Sequence, residues 1–369
     1  MPPVSLLIKP ASGSCNMRCR YCFYEDEMKN REVKSYGIMQ DQVLESIIRK
    51  TLEFADRECT LNFQGGEPTL AGLDFYKKVV HLEHKYNVNR VKLNHGIQTN
   101  GYCIDDQWAS FFAEHHFLVG LSLDGPKEIN DRYRVDAEYK GTYKKIMRAA
   151  QLLDKHKVDY NILTVVTAQT ARNIGKIYGF FDKNHFAYQQ YIPCLDPIGE
   201  PRGGQEYSLT PERYEMFLKN LFDLWYSDRA KGKFVYNRYF ENLAAVLSGR
   251  LPENCGMNGR CDRQLVVEAD GSVYPCDFYV LDQWKLGNLA VNTFEELEKE
   301  RIRLQFVEIS AHVDEKCKSC KWGFLCKGGC RRDREPMADG HLALNYFCSA
   351  YYGFFEYAVP RLTKLVRKA

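Results

Sequence analysis

The sequence predicts an α/β fold: a partial (β/α)6 barrel of parallel strands followed by a smaller, cysteine-rich α+β region. Strand-like and helix-like hydrophobic patterns alternate six times through the first half of the 369-residue chain. Polar or glycine-rich turns follow the first four predicted strands, and cysteines become dense from residue 255 onward. An open sheet of the Rossmann type is the alternative arrangement for the same alternation.

Each repeat joins a short strand to a helix. The predicted strands cover residues 4–8, 60–63, 91–97, 118–121, 160–166 and 188–192. The predicted helices cover residues 43–54, 73–86, 106–115, 142–156 and 172–183. In a barrel of parallel strands the active site lies at the carboxyl ends of the strands, so we expect the turns after these strands to converge there.

A segment rich in glycine, proline and charge interrupts this pattern between residues 197 and 209 and predicts a linker or mobile loop. Two helices are predicted after it, near residues 212–230 and 239–247, and Asp270-Gly271 is a hairpin signal. We therefore divide the chain into a barrel domain, residues 1–235, and a cysteine-rich domain, residues 236–369.

Composition argues against several classes of function. Lys and Arg number 51 against 48 Asp and Glu, and this balance gives no electrostatic basis for binding nucleic acid. No signal sequence and no run of eighteen apolar residues occur, so we expect a cytoplasmic protein without a membrane partner. Fourteen cysteines in such a chain indicate metal or redox chemistry rather than disulfides.

The first candidate site is the loop Cys15-Asn16-Met17-Arg18-Cys19-Arg20-Tyr21-Cys22, shortly after the first predicted strand. Three thiolates leave a four-iron cube one ligand short, and no further Cys or His follows before Cys59. The open iron of such a [4Fe-4S] cluster can bind a small chelating molecule, which makes the cluster a catalyst as well as an electron carrier. A zinc ion completed by a distant residue is the alternative.

The spacing C-x3-C-x2-C with an aromatic residue before the last cysteine resembles the signature of the radical S-adenosylmethionine (SAM) enzymes. In that family SAM chelates the open iron, and one electron cleaves it to a 5′-deoxyadenosyl radical that abstracts hydrogen from carbon. Gly65-Gly66-Glu67-Pro68 resembles the GGEP motif of the same family. The resemblance implies SAM-binding roles for Tyr21, Gln64, Gly65, Gly66, Glu67, Ser122, Arg134 and Leu195. Without the family, Arg134 would be read as a solvated surface arginine.

The spacing of seven cysteines from Cys261 onward resembles the seven-cysteine motif of the SPASM domain of radical SAM peptide maturases, and Cys255 would be an eighth ligand. Eight thiolates divide into two sets of four, and each set can saturate an auxiliary [4Fe-4S] cluster. The resemblance assigns Cys255, Cys261, Cys276 and Cys330 to one set, and Cys317, Cys320, Cys326 and Cys348 to the other. Spacing alone leaves this partition open, and two structural zinc ions are the alternative. The remaining cysteines, Cys59, Cys103 and Cys194, are expected to be buried bystanders.

Asp277 directly follows Cys276, in a segment similar to that of anaerobic sulfatase-maturating enzymes, in which this Asp is the proposed general base. Similarity to that family runs essentially the full length of the chain. It implies radical oxidation of a Cys or Ser side chain to Cα-formylglycine in an unfolded sulfatase or peptide substrate. The implied cofactors are three [4Fe-4S] clusters and SAM, with an external low-potential electron donor.

Two other functions are compatible with parts of this pattern. Other SPASM enzymes form thioether or carbon–carbon crosslinks in ribosomal peptides, or epimerise residues, with much the same cysteine ligands. A non-enzymatic iron–sulfur electron carrier or a zinc module would also use the cysteines, but Gly65-Gly66-Glu67-Pro68 argues against a protein that does not bind SAM.

Overall fold

A computed structural model of the chain describes residues 3–335, 337–338 and 341–366. The strands in it are β1 Val4–Ile8, β2 Glu58–Phe63, β3 Lys92–Thr99, β4 Phe117–Ser122, β5 Tyr160–Val166, β6 Tyr188–Pro193, β7 Tyr236–Asn237, β8 Val266–Val267, β9 Ser272–Tyr274, β10 Gly287–Asn288, β11 Met337–Ala338 and β12 His341–Leu342. The six predicted parallel strands are therefore confirmed, with boundaries that differ by a few residues.

The helices begin with α1 Phe23–Lys29, α2 Asp41–Phe54, α3 Leu73–Tyr86, α4 Asp106–Glu114, α5 Lys127–Tyr133, α6 Tyr143–His156, α7 Ala168–Arg172 and α8 Ile174–Lys183. They continue with α9 Pro211–Ala230, α10 Arg238–Leu247, α11 Phe294–Leu304, α12 Phe306–Ser310, α13 Glu315–Lys318, α14 Gly323–Cys326 and α15 Cys348–Val366. None of those in the described residues is long and apolar enough to cross a membrane.

The chain folds into two compact units. The first comprises Met1–Leu123, Asn130–Asn161 and Arg263–Leu304, and the second comprises Asp124–Ile129, Ile162–Asp262 and Gln305–Ala369. The predicted domain boundary at residue 235 follows the sequence pattern and stays a prediction, because the compact units divide the chain at other points.

In the first unit β1 to β4 pair in parallel and in sequence order. Parallel neighbours need a crossover between them, and the helices that follow each strand supply it. Side chains of β1 and β2 alternate between the buried core and the outer face, so Leu6, Ile8, Leu61 and Phe63 are buried. This alternation fixes which residues point inward at the end of each strand.

A hairpin of β8 and β9 extends this sheet on the other side of β1. The turn at Asp270-Gly271 is the predicted one, with Gly271 at a φ of 86°. β8 pairs in parallel with β1, so that Leu7 faces Val266 and Ile8 faces Val267. The pattern of the sequence placed this hairpin with residues 236–369, whereas the structure adds it to the edge of the first sheet. Residues that follow β8 and β9 therefore lie beside residues that follow β1.

In the second unit β5, β6 and β7 form a parallel set. Helices α9, α10 and α15 pack together through aromatic side chains; Phe222, Phe240 and Phe354 are in mutual contact, with ring centroids 5.4–5.9 Å apart. The short helices α13 and α14 precede α15 and carry Cys317 and Cys326.

Candidate active site

The loop after β1 presents three free thiols, those of Cys15, Cys19 and Cys22, all half-buried. The loop is held in shape by its own backbone. The amide of Cys22 donates to the carbonyl of Cys19 at 3.1 Å, and the amide of Met17 donates to the Cys15 sulfur at 3.3 Å. Cys22 also precedes the first residue of α1. Three thiols on one short loop suit a [4Fe-4S] cluster with an open iron.

The segment before α6 packs against this loop. Backbone amides of Arg18 and Arg20 donate to the carbonyls of Val135 and Tyr133, at 2.8 and 3.1 Å. The guanidinium of Arg134 lies 5.6 Å from the centre of the Tyr21 ring. Arg134 is only 6 % exposed, so it is not a solvated surface arginine. The structure thus brings together two residues for which SAM contacts were predicted.

The two glycines of the Gly-Gly-Glu-Pro turn have different neighbours. A Cβ at Gly66, whose φ is 50°, would overlap the carbonyl oxygen of Ser14, next to Cys15. A Cβ at Gly65, whose φ is 89°, would lie 2.5 Å from the Cε atom of the buried Lys9 side chain. Gly66 therefore allows the turn to approach the cysteine loop, and Gly65 leaves room for a lysine.

The Glu67 side chain is held by hydrogen bonds within the protein. Its buried carboxylate accepts hydrogen bonds from the amide and hydroxyl of Thr69, the hydroxyl of Thr99 and the amide of Asn100, at 2.7–3.0 Å. Burial raises the pKa of this carboxyl, and the hydrogen bonds oppose that rise. The carboxylate thus joins the turns that follow β2 and β3. The Glu67 amide donates to the Ser14 carbonyl at 2.8 Å, and a contact of Glu67 with SAM stays a prediction.

Ser122 and Leu195 were also predicted to contact SAM. The hydroxyl of Ser122 accepts a hydrogen bond from the Gln98 amide at 3.0 Å, at the carboxyl end of β4. Leu195 is half-buried and belongs to the second unit. Contacts of these residues with SAM stay predictions.

Asp277 is buried and lies beside Gln64 and Tyr24. Its Oδ2 atom accepts hydrogen bonds from the Tyr24 hydroxyl at 2.6 Å and from the Gln64 amide at 2.9 Å. The Gln64 amide also donates to the Tyr24 hydroxyl at 2.7 Å. The Oδ1 atom is buried and has no hydrogen-bond partner among the described residues. One oxygen of the carboxylate is therefore fixed by the protein, and the other is left to accept a proton or hydrogen bond from a bound molecule.

A buried ion cluster lies next to Asp277 and was missed by the sequence reasoning. We use this name for Lys9, Glu27, Arg31 and Glu268. The Lys9 ammonium is 3.0 Å from Glu268 and 3.7 Å from Glu27, and the Arg31 guanidinium is 2.7 Å from Glu268. Lys9 also lies 4.9 Å from the centre of the Tyr24 ring. The sequence indicates this cluster only weakly, because its one signal is that Lys9 and Glu268 each directly follow a short apolar strand.

Burial and the neighbouring charges together set the pKa values of this cluster. Burial alone would lower the pKa of Lys9, but Glu268, Glu27 and Asp277 outweigh burial and raise it. Burial likewise favours a neutral Glu268, yet Lys9 and Arg31 reverse this and lower its pKa to about 2. For Glu27, burial prevails over the Lys9 charge and raises the pKa to about 8. Burial also raises the pKa of Asp277, with Lys9 acting against it.

One predicted set of auxiliary ligands lines a single cavity in the second unit. The cavity has a volume of about 500 Å³ and is bordered by four thiols, those of Cys317, Cys320, Cys326 and Cys348. Among the described residues, no three Cys, His, Asp or Glu side chains are arranged to hold a single metal ion. Four thiols around a cavity of this size suit a [4Fe-4S] cluster better than a zinc ion.

Three thiols of the other predicted set also lie close together in the second unit. A Cβ at Gly256 would be 3.6 Å from the Cβ of Cys330, which places the Cys255 turn against Cys330. The charges of Cys255 and Cys261 both act on Cys330. The fourth predicted member, Cys276, belongs to the first unit, directly before Asp277.

The remaining cysteines have other surroundings. Cys59 and Cys194 are buried, and burial raises the pKa of each thiol to about 12. Cys103 is half-buried and accepts a hydrogen bond from the Asn16 amide at 3.1 Å, so it lies near the first cysteine loop. The bystander assignment is consistent with Cys59 and Cys194 and stays a prediction for Cys103.

Comparison with known proteins identifies two family matches. Residues 10–181 match the radical SAM superfamily, and residues 255–321 match the SPASM iron–sulfur cluster-binding domain. These assignments agree with the sequence prediction of an α/β radical SAM core followed by a cysteine-rich domain.

Relatives that match nearly the whole chain identify a narrower family than the two domain matches do. A cysteine-type anaerobic sulfatase-maturating enzyme of Clostridium perfringens is 52 % identical over 362 residues, 98 % of each chain. A serine-type enzyme of Bacteroides thetaiotaomicron is 32 % identical and covers 97 % of this chain and 90 % of its own. Among solved structures, native anSMEcpe with bound AdoMet and the Cp18Cys peptide matches with a TM-score of 0.95 at 51 % identity, covering 100 % of this chain and 99 % of the other.

Replacing Glu268 tests the buried ion cluster. We expect Glu268→Gln to lower the free energy of unfolding by about 3 kcal/mol, because it leaves Lys9 and Arg31 without their shared carboxylate. Stability from a carboxyl with a depressed pKa is present above its ordinary value of 4.5 and is lost only as the pH falls towards about 2. The loss should therefore be the same at pH 5 and pH 8, measured by urea unfolding of the anaerobically loaded enzyme.

Glu27→Gln is the matched variant, because its pKa is shifted in the opposite direction. Stability from a carboxyl with a raised pKa is fully present below 4.5 and is lost as the pH rises to about 8. Relative to the unmodified enzyme, Glu27→Gln should thus become more stable between pH 5 and pH 8. A Glu268→Gln effect that varies over this range would contradict the assignment of a permanently ionised Glu268.

Replacing Gly66 tests the contact between the turn after β2 and the cysteine loop. Gly66→Ala must displace the Ser14 carbonyl, so we expect the chain to lose about four irons and its SAM cleavage. Gly37→Ala is the control, because its φ of 72° carries the same backbone strain with no atom within 4 Å of the added Cβ. Normal iron content and SAM cleavage in Gly66→Ala would show that the contact is not required.

Proposed function

This chain belongs to the family of anaerobic sulfatase-maturating enzymes within the radical SAM superfamily, and we propose that it oxidises a cysteine of an unfolded sulfatase to Cα-formylglycine. The observation that carries this proposal is the buried Asp277 carboxylate, held by Tyr24 and Gln64 in the same compact unit as the three-cysteine loop. A radical-generating centre and a proton acceptor in one unit are what this oxidation needs.

We assign Cys15, Cys19 and Cys22 as the residues that would hold the catalytic [4Fe-4S] cluster. With SAM bound, this cluster would supply the radical that removes a hydrogen atom from the β-carbon of the target residue. Arg134 and Tyr21 form a stacked pair beside the cysteine loop, and the guanidinium is suited to a carboxylate or hydroxyl of SAM. Gly66 brings the turn after β2 close enough for its backbone to contact the same molecule.

Asp277 is assigned as the base that takes the thiol proton of the target cysteine. Tyr24 and Gln64 both donate to Oδ2, so the carboxylate is oriented with Oδ1 free to accept. The buried Lys9 ammonium favours the ionised form of Asp277 electrostatically. These contacts make the carboxylate ready before the substrate binds.

The oxidation removes two electrons: one leaves with the hydrogen atom, and the second leaves the substrate radical once the thiol proton has gone. The resulting thioaldehyde would then react with water, which supplies the aldehyde oxygen and releases the sulfur as sulfide. We assign this second electron to an auxiliary [4Fe-4S] cluster, since a cluster saturated by four thiolates carries electrons without binding SAM. The proposed ligand sets are those of the family, with Cys276 completing the set of Cys255, Cys261 and Cys330.

The cysteine-type substrate is proposed from the comparisons. The relatives with about half of their residues identical are cysteine-type enzymes, whereas the serine-type relatives share 32 %. We further propose an external low-potential electron donor as a partner, and no nucleic acid or membrane. A reducing cytoplasm fits the fourteen free cysteines, because disulfides would form in an oxidising compartment.

Iron analysis tests the cluster assignment. Three four-iron clusters predict about twelve irons per chain after anaerobic reconstitution. Replacing Cys15, Cys19 and Cys22 together by Ala should leave about eight irons and abolish SAM cleavage. The matched control is the pair Cys59→Ala and Cys194→Ala, which should keep all twelve. Retained SAM cleavage in the triple variant would refute the assignment of the catalytic cluster.

Asp277→Asn tests the proposed base. The amide keeps the size of the side chain but cannot accept the thiol proton, so SAM cleavage should continue while formylglycine falls by roughly 10²-fold or more. Both products, 5′-deoxyadenosine and formylglycine, are measured in one reaction with a short peptide containing Cys-x-Pro-x-Arg. Asp282→Asn is the control; it makes the same charge change in the same segment, on an exposed side chain bound to the Glu32 amide.

Near-normal formylglycine from Asp277→Asn would remove Asp277 from the mechanism. If the unmodified enzyme cleaves SAM but makes no aldehyde from a Cys or a Ser peptide, the crosslinking or epimerising alternative would be favoured instead. The two outcomes therefore separate an error in the base from an error in the substrate.

A further inference from the structure

Arg334 is a buried cation that faces thiols. Only 2 % of Arg334 is exposed, and it follows Cys330 by four residues. In the described part of the chain no carboxylate pairs with its guanidinium, and the acidic groups that act on it are the thiols of Cys317, Cys261 and Cys330, which are negative when ionised. Buried arginines are ordinarily paired with carboxylates, so this one requires a different acceptor.

The two ends of the guanidinium differ. Its Nη1 group donates to the carbonyl oxygen of Ser310 at 2.9 Å, which anchors the side chain. Its Nη2 group is buried and has no hydrogen-bond partner among the described residues. Leaving a buried donor unsatisfied costs roughly 1–3 kcal/mol, and more for a charged group. Such a donor is expected to face an acceptor that is bound at the site.

Neighbouring residues place Arg334 between the two sets of thiols. On one side, the Ser310 residue that anchors Nη1 also accepts a hydrogen bond through its hydroxyl from the Cys261 amide, at 2.7 Å. On the other side, Gly328 borders the cavity that contains Cys317, and a Cβ at Gly328 would lie 3.6 Å from Nη1 of Arg334. The guanidinium is thus adjacent to thiols assigned to different clusters.

We propose that Arg334 serves both auxiliary clusters: Nη2 donates a hydrogen bond to a cluster sulfur, and the cation stabilises the reduced state of each. Hydrogen bonds to sulfur and nearby charge are the means by which proteins set the potential of an iron–sulfur cluster. The inference rests on the proposed auxiliary clusters. Within that function, Arg334 makes both of them better acceptors for the electron released from the substrate.

The test is a redox titration of the reconstituted full-length enzyme, followed by electron paramagnetic resonance. The catalytic cluster is recognised by the change of its signal when SAM is added. Arg334→Gln removes the cation and should shift the reduction equilibrium of both auxiliary clusters about tenfold towards the oxidised form, or about 59 mV for one electron. Arg334→Lys keeps the charge but loses the planar fork, so it should shift both by less.

Arg332→Gln is the matched control. It removes a buried guanidinium from the same segment, whose Nη2 donates to the carbonyl oxygen of Asp196 at 3.0 Å, and it should leave both potentials unchanged. Unchanged potentials in Arg334→Gln at full iron content, or a shift of only one auxiliary cluster, would overturn the proposal.

Iron content is measured for every variant, because Arg334→Gln could fail to hold its clusters. In that case Arg334→Lys decides: full iron content with both potentials lowered supports the proposal, and any other result overturns it. The potentials are measured without a peptide substrate. Failure of this inference is therefore distinguishable from failure of the proposed oxidation, which is read from formylglycine.

Discussion

The ion pair between Lys9 and Glu268 is the interaction on which the first unit depends. Each residue directly follows a short apolar strand, β1 or β8, and the parallel pairing of these strands puts the two side chains together. A fully buried charge is stable only if its partners are in place, so the cluster holds the hairpin in one register on the edge of the sheet. Gly65 is part of the same arrangement, because any larger residue would occupy the space of the Lys9 side chain. A glycine of the family motif thus has a structural reason in the protein interior.

The same pairing brings Asp277 to the site. The carboxylate comes from a turn after β9, more than 200 residues from Tyr24 and Gln64, yet both donate to it. A buried carboxylate beside Glu27 and Glu268 would be driven towards its neutral form. The Lys9 ammonium opposes this, and it is the strongest charge that lowers the pKa of Asp277. The residue that fixes the hairpin is therefore also the one that favours a carboxylate able to accept a proton.

Sequence reasoning predicted the repetitive part of the fold because each βα repeat carries its own hydrophobic period. It singled out the cysteine loop by its local spacing, and the glycine turn and Asp277 by the resemblance of short segments to a family. It missed α1 and α5, which are short and mostly charged, and α15, whose first residue is a cysteine that was read only as a ligand. It also missed the position of the hairpin, because β8 has two residues and no period can be read from two residues. Lys9 and Glu268 become a pair only through that position, so their role is a property of the fold.

Both units solve a similar electrostatic problem with a buried cation. In the first, burial disfavours the ionised form of Asp277, and Lys9 provides an opposing charge, while Oδ1 of Asp277 has no hydrogen-bond partner among the described residues. In the second, the proposed auxiliary clusters would take up an extra negative charge, and the Nη2 group of Arg334 is a buried donor without a hydrogen-bond partner in the described part of the chain. A carboxylate partner would neutralise either cation, and Lys9 does form an ion pair with Glu268. The buried ion cluster therefore needs Arg31 as a second cation that pairs with Glu268, so that part of the Lys9 charge still acts on Asp277.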